Sequence, residues 1–366
     1  MRIGMISRTI PPYDRGGIQT HVYNLAKSLA KHDVEVHLFI IGKKQKMDNI
    51  VIHPVKAFPF PRLTAGLYMS FALNAARHAR RCKLDLIHGH AFYSYGYALT
   101  KKLPFVVTVH GTQLSYLRAT LETDPTPNHV MTDSIAMMME RYSINKADLL
   151  IVTCKKNKQE IMDELKLDKE RVRIVYQGVD VERFLPSKCE GKKVLFLGRL
   201  HERKGIDRII RAWQKVHKQD NEAKLLVAGK GEFEEQYKKM ALDLGLKGSV
   251  EFLGHVPEKE LPGLYTSSSL FVMPSYYEAF GLVTLEAMAA GLPILATDTG
   301  IAPEAIEKGK NGYLIDDDDM ADRILEVLSS DKMKAMGRRS RQIVEEKFTW
   351  DKTALGTIEV YKELLE

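Results

Sequence analysis

The sequence predicts an α/β protein built from two doubly wound, mostly parallel sheets. Short apolar runs, typical of buried strands, alternate with amphipathic helical patterns along the whole chain. Glycine-containing turns follow several of these runs, at the point where a strand passes into a helix. At 366 residues the chain is long for one domain and comfortable for two.

The composition is that of an ordinary globular protein, with 45% hydrophobic and 28% charged residues. No apolar run approaches the roughly 18 residues that a membrane-spanning helix needs. The N-terminus enters a predicted strand directly, so no signal peptide is evident. Cys82, Cys154 and Cys189 have no metal-type spacing and indicate reduced thiols. We therefore expect a cytoplasmic protein.

Charge is unevenly distributed along the chain. Up to Pro186 there are 27 Lys and Arg residues against 17 Asp and Glu, whereas the remainder has 27 against 30. A basic first half favours an anionic partner, and the basic stretch Arg77–Lys83 after the apolar Phe58–Pro61 is compatible with contact to the inner face of a membrane. The alternative is that these cations only complement a helix dipole. Nucleic acid is not an expected partner, because no recognised binding motif accompanies the charge.

The first half opens with a strand–turn–helix pattern. Strand Arg2–Ile6 is followed by a turn ending in Gly16 and Gly17, and then by a helix over Ile18–Lys31. The turn lacks the GxGxxG fingerprint, so a hydride-transfer cofactor is poorly supported.

A second candidate position in the first half is His110, which directly follows the predicted strand Phe105–Val109. Ligands bind at the carboxyl ends of strands in open α/β sheets, although a single histidine there is more often structural. The segment Gln113–Asn128 is predicted to be an irregular loop that meets the acceptor.

The densest signal lies in the second half, where strand Leu270–Met273 leads through a turn to a helix opened by Gly281. Amides at a helix start suit a phosphate. Glu278 and Glu286, with seven residues between them, add carboxylates that accept hydrogen bonds from sugar and ribose hydroxyls. The pattern indicates a sugar nucleotide; the alternative is an amphipathic helix with two solvated glutamates.

Two cations, Arg199 and Lys204, flank the turn after the predicted strand Val194–Leu197. A fork-shaped guanidinium and a compact ammonium in this arrangement form a plausible diphosphate clamp, although solvated surface cations are the commoner case. The acidic run Asp316–Asp319 opens a helical pattern, where acids are electrostatically favoured, so we expect no metal there.

Taken in order, Gly16–Gly17, His110, Arg199, Lys204, Glu278 and Glu286 resemble the motifs of the retaining glycosyltransferases of family 4, which have the GT-B fold. Two positions depart from the family pattern: Gln177 stands where an Asn is typical, and Gly300–Ile301 where two glycines are common. The catalytic set that the resemblance implies is His110, Arg199, Lys204 and Glu278. The implied donor-binding set is Gly16, Gly17, Arg199, Lys204, Gly254, His255, Val256, Glu278, Ala279, Phe280, Gly281, Leu282 and Glu286.

The resemblance implies two facing Rossmann-like domains with an interdomain cleft. Residues 1–186 would bind the acceptor, 187–349 the donor, and 350–366 would form a helix returning to the first domain. It further implies retaining, metal-independent transfer of a hexosyl group from a UDP- or GDP-sugar without a cofactor. A phosphate-bearing or lipid-linked acceptor fits the basic first half. A sugar-nucleotide epimerase or hydrolase of the same fold, or a basic nucleic-acid-binding protein, remains an alternative.

Overall fold

The computed structural model describes residues 1–14, 16–43, 45–47, 49–58, 64–123, 127–188 and 191–366. Helices and mostly parallel strands alternate along the chain, which confirms the predicted α/β class. The chain divides into two compact units, Met1–Gln177 with Trp350–Glu366, and Gly178–Thr349. Across the described ranges, no helix has the length and apolar character needed to cross a bilayer. Cys82 and Cys154 take part in no disulfide within the described residues, and Cys189 lies outside those residues.

Within the described residues, the first unit contains an eight-stranded sheet in the order β3-β4-β2-β1-β5-β6-β7-β8, in which the β3–β4 pair is antiparallel and the other pairs are parallel. Its strands are β1 (Arg2–Ile6), β2 (Glu35–Ile40), β3 (Gln45–Met47), β4 (Ile50–Pro54), β5 (Leu86–His90), β6 (Phe105–Val109), β7 (Leu149–Val152) and β8 (Val172–Ile174). Its first six helices are α1 (Gly17–Lys31), α2 (Thr64–Ala79), α3 (Tyr95–Ala98), α4 (Gln113–Thr123), α5 (Pro127–Lys146) and α6 (Lys155–Leu165).

The central strands of this sheet are buried on both faces. In β6, Phe105 and Val107 pack into one apolar cluster and Val106 into the cluster on the other side. Strands covered on both faces read as continuous apolar runs, which is why the sequence pattern located them. This packing leaves the carboxyl ends of the strands, and the turns that follow them, as the places for polar chemistry.

The segment Gln113–Asn128 is not the irregular loop that the sequence predicted. Helix α4 begins at Gln113 and α5 begins at Pro127; residues 124–126 lie outside the described residues. Pro127 occupies the first position of α5, where its missing N–H costs nothing. The carboxylate of Glu140 accepts a hydrogen bond of 2.7 Å from the Gln113 N–H and so stabilises the start of α4.

The second unit contains a six-stranded parallel sheet in the order β11-β10-β9-β12-β13-β14. Its strands are β9 (Lys193–Leu197), β10 (Lys224–Ala228), β11 (Val250–Gly254), β12 (Leu270–Met273), β13 (Ile294–Ala296) and β14 (Gly312–Leu314). Its helices are α7 (Ile206–Gln219), α8 (Glu234–Asp243), α9 (Leu261–Thr266), α10 (Leu282–Ala289), α11 (Ala302–Ala305), α12 (Met320–Ser329) and α13 (Met333–Lys347). The last helix of the chain, α14 (Trp350–Leu365), belongs to the first unit.

The division between the units falls after Gln177, earlier than the predicted boundary after Pro186. The intervening segment is bound to the second unit by its backbone. The Val179 N–H donates to the Phe348 carbonyl at 2.9 Å, and the Arg341 guanidinium donates to the carbonyls of Val181 and Phe184 at 3.2 and 2.7 Å. Backbone hydrogen bonds leave no trace in amino-acid composition. The sequence pattern therefore predicted the domain boundary at Pro186.

Candidate active site

The sheet of the second unit has a topological switch point between β9 and β12. From β9 the chain runs outward through β10 to β11, whereas β12, β13 and β14 extend in the opposite direction. In an open α/β sheet the crevice outside the carboxyl ends of two such strands is the usual ligand site. The turns after β9 and β12 are therefore the first place to look for binding groups.

The two turns are held together by backbone contacts. Gly205, with φ +66°, closes the turn after β9, and a Cβ atom at this position would lie 2.0 Å from the Pro274 carbonyl oxygen. The Tyr276 N–H donates to the Arg203 carbonyl at 2.9 Å, and the Arg208 guanidinium donates to the Pro274 carbonyl at 3.0 Å. Only glycine permits this approach, so the position of the second turn depends on Gly205.

Lys204 and Glu278, one from each turn, form an ion pair. The Lys204 ammonium donates to the Glu278 carboxylate, and the Ser275 hydroxyl donates to the same oxygen at 3.2 Å. The side chains are only 14% and 9% exposed. The structure thus brings together two of the predicted catalytic residues, and it adds the hydroxyl of Ser275, which was not among the predicted site residues.

Arg199 differs from Lys204, although both were predicted to clamp a diphosphate. It lies in the same turn, but its side chain is exposed and forms no ion pair or hydrogen bond with any residue of the described ranges. Its neighbour Gly198 is in close contact with the next turn, since a Cβ atom on Gly229 would lie 1.8 Å from the Gly198 carbonyl oxygen. A fixed backbone with an uncommitted guanidinium suits recognition of an external anion.

Helix α10 starts after Gly281, as predicted, and its start lies at the switch point. Gly281 is its N-cap residue, with φ +90° and ψ +57°, and Leu282 is its first helical residue. The Phe280 carbonyl, just before the cap, accepts a hydrogen bond of 2.8 Å from the Ile301 N–H. The turn after β13 thereby supports the segment Ala279–Leu282. The first amides of the helix carry the partial positive charge that attracts an anion.

Glu286 projects from α10 beside the buried Tyr265, whose hydroxyl donates to the carboxylate at 2.8 Å. Burial raises the pKa of the Glu286 carboxyl to about 7, against the lowering effects of the Tyr265 hydrogen bond and the Arg183 charge. Within the described residues its second oxygen accepts no hydrogen bond. Tyr265 was not predicted, because it comes from α9 and no local motif links it to Glu286.

The remaining predicted donor residues, Gly254, His255 and Val256, lie at the end of β11, two strands away from β9. Gly254 has φ +64° and its carbonyl accepts a hydrogen bond of 2.8 Å from the Gly229 N–H, while His255 is exposed. No hydrogen bond or ion pair joins this segment to Glu278 among the residues that the structure describes.

The first unit has its own switch point, between β1 and β5. Gly16 caps α1 and Gly17 begins it, so the predicted glycine pair lies at the start of the helix that follows β1. His110 follows the neighbouring strand β6 and is buried. Around it are two histidines that were not predicted as site residues, His21 from α1 and His90 from the end of β5. His90 could have been predicted from the sequence, because it ends a strand, just as His110 directly follows one.

These histidines are uncharged in the folded chain. Burial lowers the pKa of His21 to about 4 and those of His90 and His110 well below the ordinary value of 6.5. The next histidine, His88, bridges the Tyr361 hydroxyl of α14 and the Thr108 hydroxyl, at 2.6 Å each. The carboxyl end of this sheet therefore presents neutral imidazoles that can donate or accept hydrogen bonds.

The acidic run Asp316–Asp319 is engaged by its own turn and by two arginines, Arg208 with Asp317 and Arg323 with Asp319. One Asp316 oxygen accepts from the Asp318 and Asp319 amides at 3.0 and 3.1 Å, and an Asp319 oxygen accepts from the Asp316 amide at 3.0 Å. These bonds order the approach to α12, in keeping with the expected helix-start role.

Comparison with known proteins gives matches along nearly the whole chain. The family described as glycosyl transferases group 1 matches residues 181–343, and glycosyltransferase family 4 matches residues 15–183. The D-inositol 3-phosphate glycosyltransferase of Corynebacterium efficiens is 27% identical over 413 residues, which cover 99% of this chain and 95% of that protein.

Solved structures show the same two-domain fold. Sucrose-phosphate synthase from Thermosynechococcus elongatus aligns with a TM-score of 0.82 and 21% identity, covering 99% of this chain and 98% of that one. HepE from Anabaena, solved in complex with UDP and glucose, aligns with a TM-score of 0.75 and 20% identity over the full length of both chains. These alignments confirm the predicted GT-B type of fold.

Proposed function

Because the chain belongs to the group 1 glycosyltransferases, we propose that it transfers a hexosyl group from a nucleoside diphosphate sugar to an acceptor hydroxyl. The observation that carries the proposal is the junction of two turns at the β9/β12 switch point, where Lys204 and Glu278 meet beside the start of α10. The family match favours this activity over the epimerase, hydrolase and nucleic-acid-binding alternatives.

The second unit would hold the donor. Arg199 and the first amides of α10 would bind the diphosphate, and Lys204 would stabilise its developing charge on departure. Glu286 would accept hydrogen bonds from the ribose hydroxyls, and Glu278 from the sugar. UDP is the first nucleotide to test, because HepE carries UDP and glucose at a similar fold.

We further propose that transfer retains the anomeric configuration and requires no metal. The leaving phosphate would take the proton of the acceptor hydroxyl on the face from which it departs, so bond breaking and bond making share one side of the sugar. His110 would contact the donor sugar as a neutral imidazole, since its low pKa keeps it uncharged near pH 7. Cations and helix-start amides of the chain would supply the stabilisation that a divalent ion provides elsewhere.

The proposed acceptor carries a phosphate group. The chain up to Pro186 holds an excess of basic residues, and the Corynebacterium efficiens relative is named for a phosphorylated inositol. A soluble sugar or polyol phosphate and a phospholipid headgroup share this chemistry. For the lipid, contact would involve the basic end of α2 and the exposed Phe58; residues 59–63 lie outside the described residues. Either acceptor is compatible with the proposed cytoplasmic location.

The proposal is tested by thermal shift with UDP, GDP and ADP, each with EDTA and with magnesium. A nucleotide present at 100 times its dissociation constant adds about 2.7 kcal/mol to the free energy of unfolding. We expect one diphosphate to shift the melting temperature equally in both buffers, and its sugar derivative to support transfer to a phosphorylated acceptor. If no nucleotide stabilises the chain, the second unit is not a donor site and the proposed reaction is contradicted.

A further inference from the structure

Three buried histidines of the first unit converge from three different elements. His21 lies on α1, His90 ends β5 and His110 directly follows β6. One ring nitrogen from each residue lies within 4.8 Å of the other two, and the His90 Nδ1 and His110 Nε2 atoms are 3.2 Å apart. The cluster is formed by the adjacent carboxyl ends of β5 and β6 and by the helix that follows β1. Its position is therefore fixed by the sheet.

The nitrogens of this cluster are only partly used by the protein. Neither ring nitrogen of His21 has a partner at full hydrogen-bond geometry among the described residues, and the same holds for His90 Nε2, although both side chains are at least 98% buried. The Gln177 side chain is close enough to His21 to oppose, as a weak hydrogen-bond partner, the lowering of its pKa by burial. Buried polar groups in folded proteins almost always have partners. Incompletely satisfied imidazole nitrogens in a cluster where one ring nitrogen of each histidine lies within 4.8 Å of the other two therefore indicate a ligand that accepts lone pairs.

Three neutral imidazoles are a donor set that Zn²⁺ and related divalent ions prefer. Zinc–nitrogen bonds of about 2.0–2.1 Å in a tetrahedral arrangement place the ligand nitrogens about 3.3 Å apart. The His90–His110 separation already matches this value, and a small rotation of the His21 ring would complete the set. Three protein ligands also leave a fourth position open for water or an oxygen ligand.

We propose that His21, His90 and His110 form a binding site for a divalent transition-metal ion of the zinc class. The site shares His110 with the proposed donor contacts, but the ion is not proposed to take part in transfer. Under the proposed function, on which this consequence rests, an ion held by His110 would withdraw that side chain from the donor sugar. Micromolar zinc is therefore expected to inhibit transfer.

A second histidine group in the same unit provides the control. His37, His53 and Cys82 also place one ligand atom each within 4.8 Å, but His37 already bonds His53 at 2.8 Å and Glu35 at 3.0 Å. Both ring nitrogens of His37 are therefore engaged, and the three residues of this group are less buried than those of the proposed site. His53→Gln removes a ligand from this second group and leaves the proposed site intact.

The test uses the full chain, stripped with EDTA and dialysed. Titration with Zn²⁺ by calorimetry should give one tight equivalent, and Co²⁺ should give the strong visible absorption of a four-coordinate site. Trp350, whose ring centre is 5.7 Å from that of His21, should lose fluorescence as Co²⁺ binds. His21→Asn and His90→Asn should each weaken binding by more than the roughly 10- to 100-fold typical of losing an outer-shell partner. His53→Gln should leave it unchanged.

A wild-type chain that binds neither ion would overturn the proposal and would indicate that ordered water satisfies these nitrogens. So would binding that His53→Gln removes and His21→Asn does not. The wild-type result does not depend on whether any variant folds. Inhibition of transfer by zinc is measured separately. Tight zinc binding without inhibition would support the metal site and contradict the proposed contact of His110 with the donor sugar. The thermal shift by the donor nucleotide, measured without zinc, tests the donor site alone.

Discussion

Lys204 donates a hydrogen bond to the carboxylate of Glu278 across 74 positions of sequence, and both side chains are largely buried. This one contact joins the turns that follow two neighbouring strands. Each charge is compensated by the other before any ligand binds. The pair therefore has a structural role in the second unit in addition to the proposed role toward the donor.

Replacing Lys204 with methionine should reduce stability and transfer together. The Glu278 carboxylate would remain buried without its cation, which typically costs about 3 kcal/mol or more. Loss of a preorganised cation should lower the transfer rate by roughly a hundredfold to a thousandfold. Denaturant unfolding and a transfer assay measure the two effects on the same preparations.

The double variant Lys204→Met with Glu278→Gln separates these two effects. Removing both charges should restore most of the stability, because no uncompensated carboxylate remains. It should not restore transfer. A double variant as unstable as Lys204→Met alone would show that the ion pair is not what the single substitution disrupts.

Arg199→Ala is expected to lower transfer by a similar factor with little change in stability. Its side chain is exposed and, within the described chain, unengaged, so its removal leaves no buried group without a partner. Such surface changes usually alter the free energy of unfolding by less than about 0.5 kcal/mol. Initial rates at saturating donor and the melting temperature are the two measurements.

The matched control for Arg199 is Arg211→Ala, which removes an exposed guanidinium from helix α7. If both substitutions reduce transfer equally, general charge rather than the position after β9 is responsible. Normal transfer by Arg199→Ala would remove this residue from the diphosphate site.

Strands and most helices were predictable because buried parallel strands are continuous apolar runs and helices have an apolar period. The turn residues Gly281, Lys204 and Glu278 were predictable for a related reason, since they lie in the turns that follow such runs. Partners from distant elements were not. Tyr265 reaches Glu286 from α9, and His21 reaches His110 from α1, contacts that depend on packing and not on local pattern.

The segment Gln113–Asn128 was wrongly predicted as a loop, also because its structure depends on contacts that local sequence does not show. Prolines at 125 and 127 suggested a loop, yet Pro127 begins a helix of 20 residues. Proline is tolerated in the first turn of a helix and disfavoured within it, and the sequence does not reveal which position it occupies. The Glu140 carboxylate that stabilises the start of α4 comes from α5 and has no local signature.

Donor binding should depend on pH through Glu286. Its pKa of about 7 means that the carboxylate is mostly ionised above neutrality and mostly protonated below it. An ionised carboxylate accepts hydrogen bonds from ribose hydroxyls more strongly than a protonated one. Donor affinity, measured by calorimetry, should therefore fall as the pH is lowered from 8 to 6.

Tyr265→Phe sharpens the test, because the Tyr265 hydroxyl stabilises the ionised form of Glu286. Losing a hydrogen bond to a charged group, about 1.5 kcal/mol, corresponds to a shift of about one pH unit. The affinity profile should move to higher pH in this variant and become flat in Glu286→Gln. A wild-type profile that is already flat would exclude Glu286 from ribose binding.

Glu140 should make stability decrease with rising pH. Burial raises the pKa of its carboxyl from the ordinary value of 4.5 to about 8, so the folded chain binds more protons than the unfolded chain between these values. The free energy of unfolding therefore falls across that window as pH increases. Glu140→Gln keeps an oxygen to accept the Gln113 N–H but cannot ionise.

The variant should consequently be more stable than the wild type at pH 9, by roughly 2–4 kcal/mol, and differ little at pH 4.5, where the wild-type carboxyl is protonated in the folded chain. Urea unfolding at both pH values measures the free energy of unfolding of each protein. The difference between variant and wild type cancels the contributions of other titratable groups. A constant difference would mean that Glu140 is ionised throughout.

Gly205→Ala should be far more costly than the same change at Gly245, although both glycines have a left-handed backbone, with φ +66° and +73°. The backbone conformation alone costs an alanine about 1–2 kcal/mol. At Gly245 nothing lies within 4 Å of the added Cβ atom, so this is the whole expected effect. At Gly205 the Cβ atom would lie 2.0 Å from the Pro274 carbonyl oxygen, and one turn must move away from the other.

The loss of stability at Gly205 should thus be at least roughly double that at Gly245. Displacing Pro274 also shifts the Tyr276 amide from the Arg203 carbonyl and separates Lys204 from Glu278, so donor binding should weaken even in the fraction that remains folded. Gly245→Ala should bind donor normally. Equal effects of the two substitutions on unfolding would show that the close approach of the two turns contributes nothing beyond backbone strain.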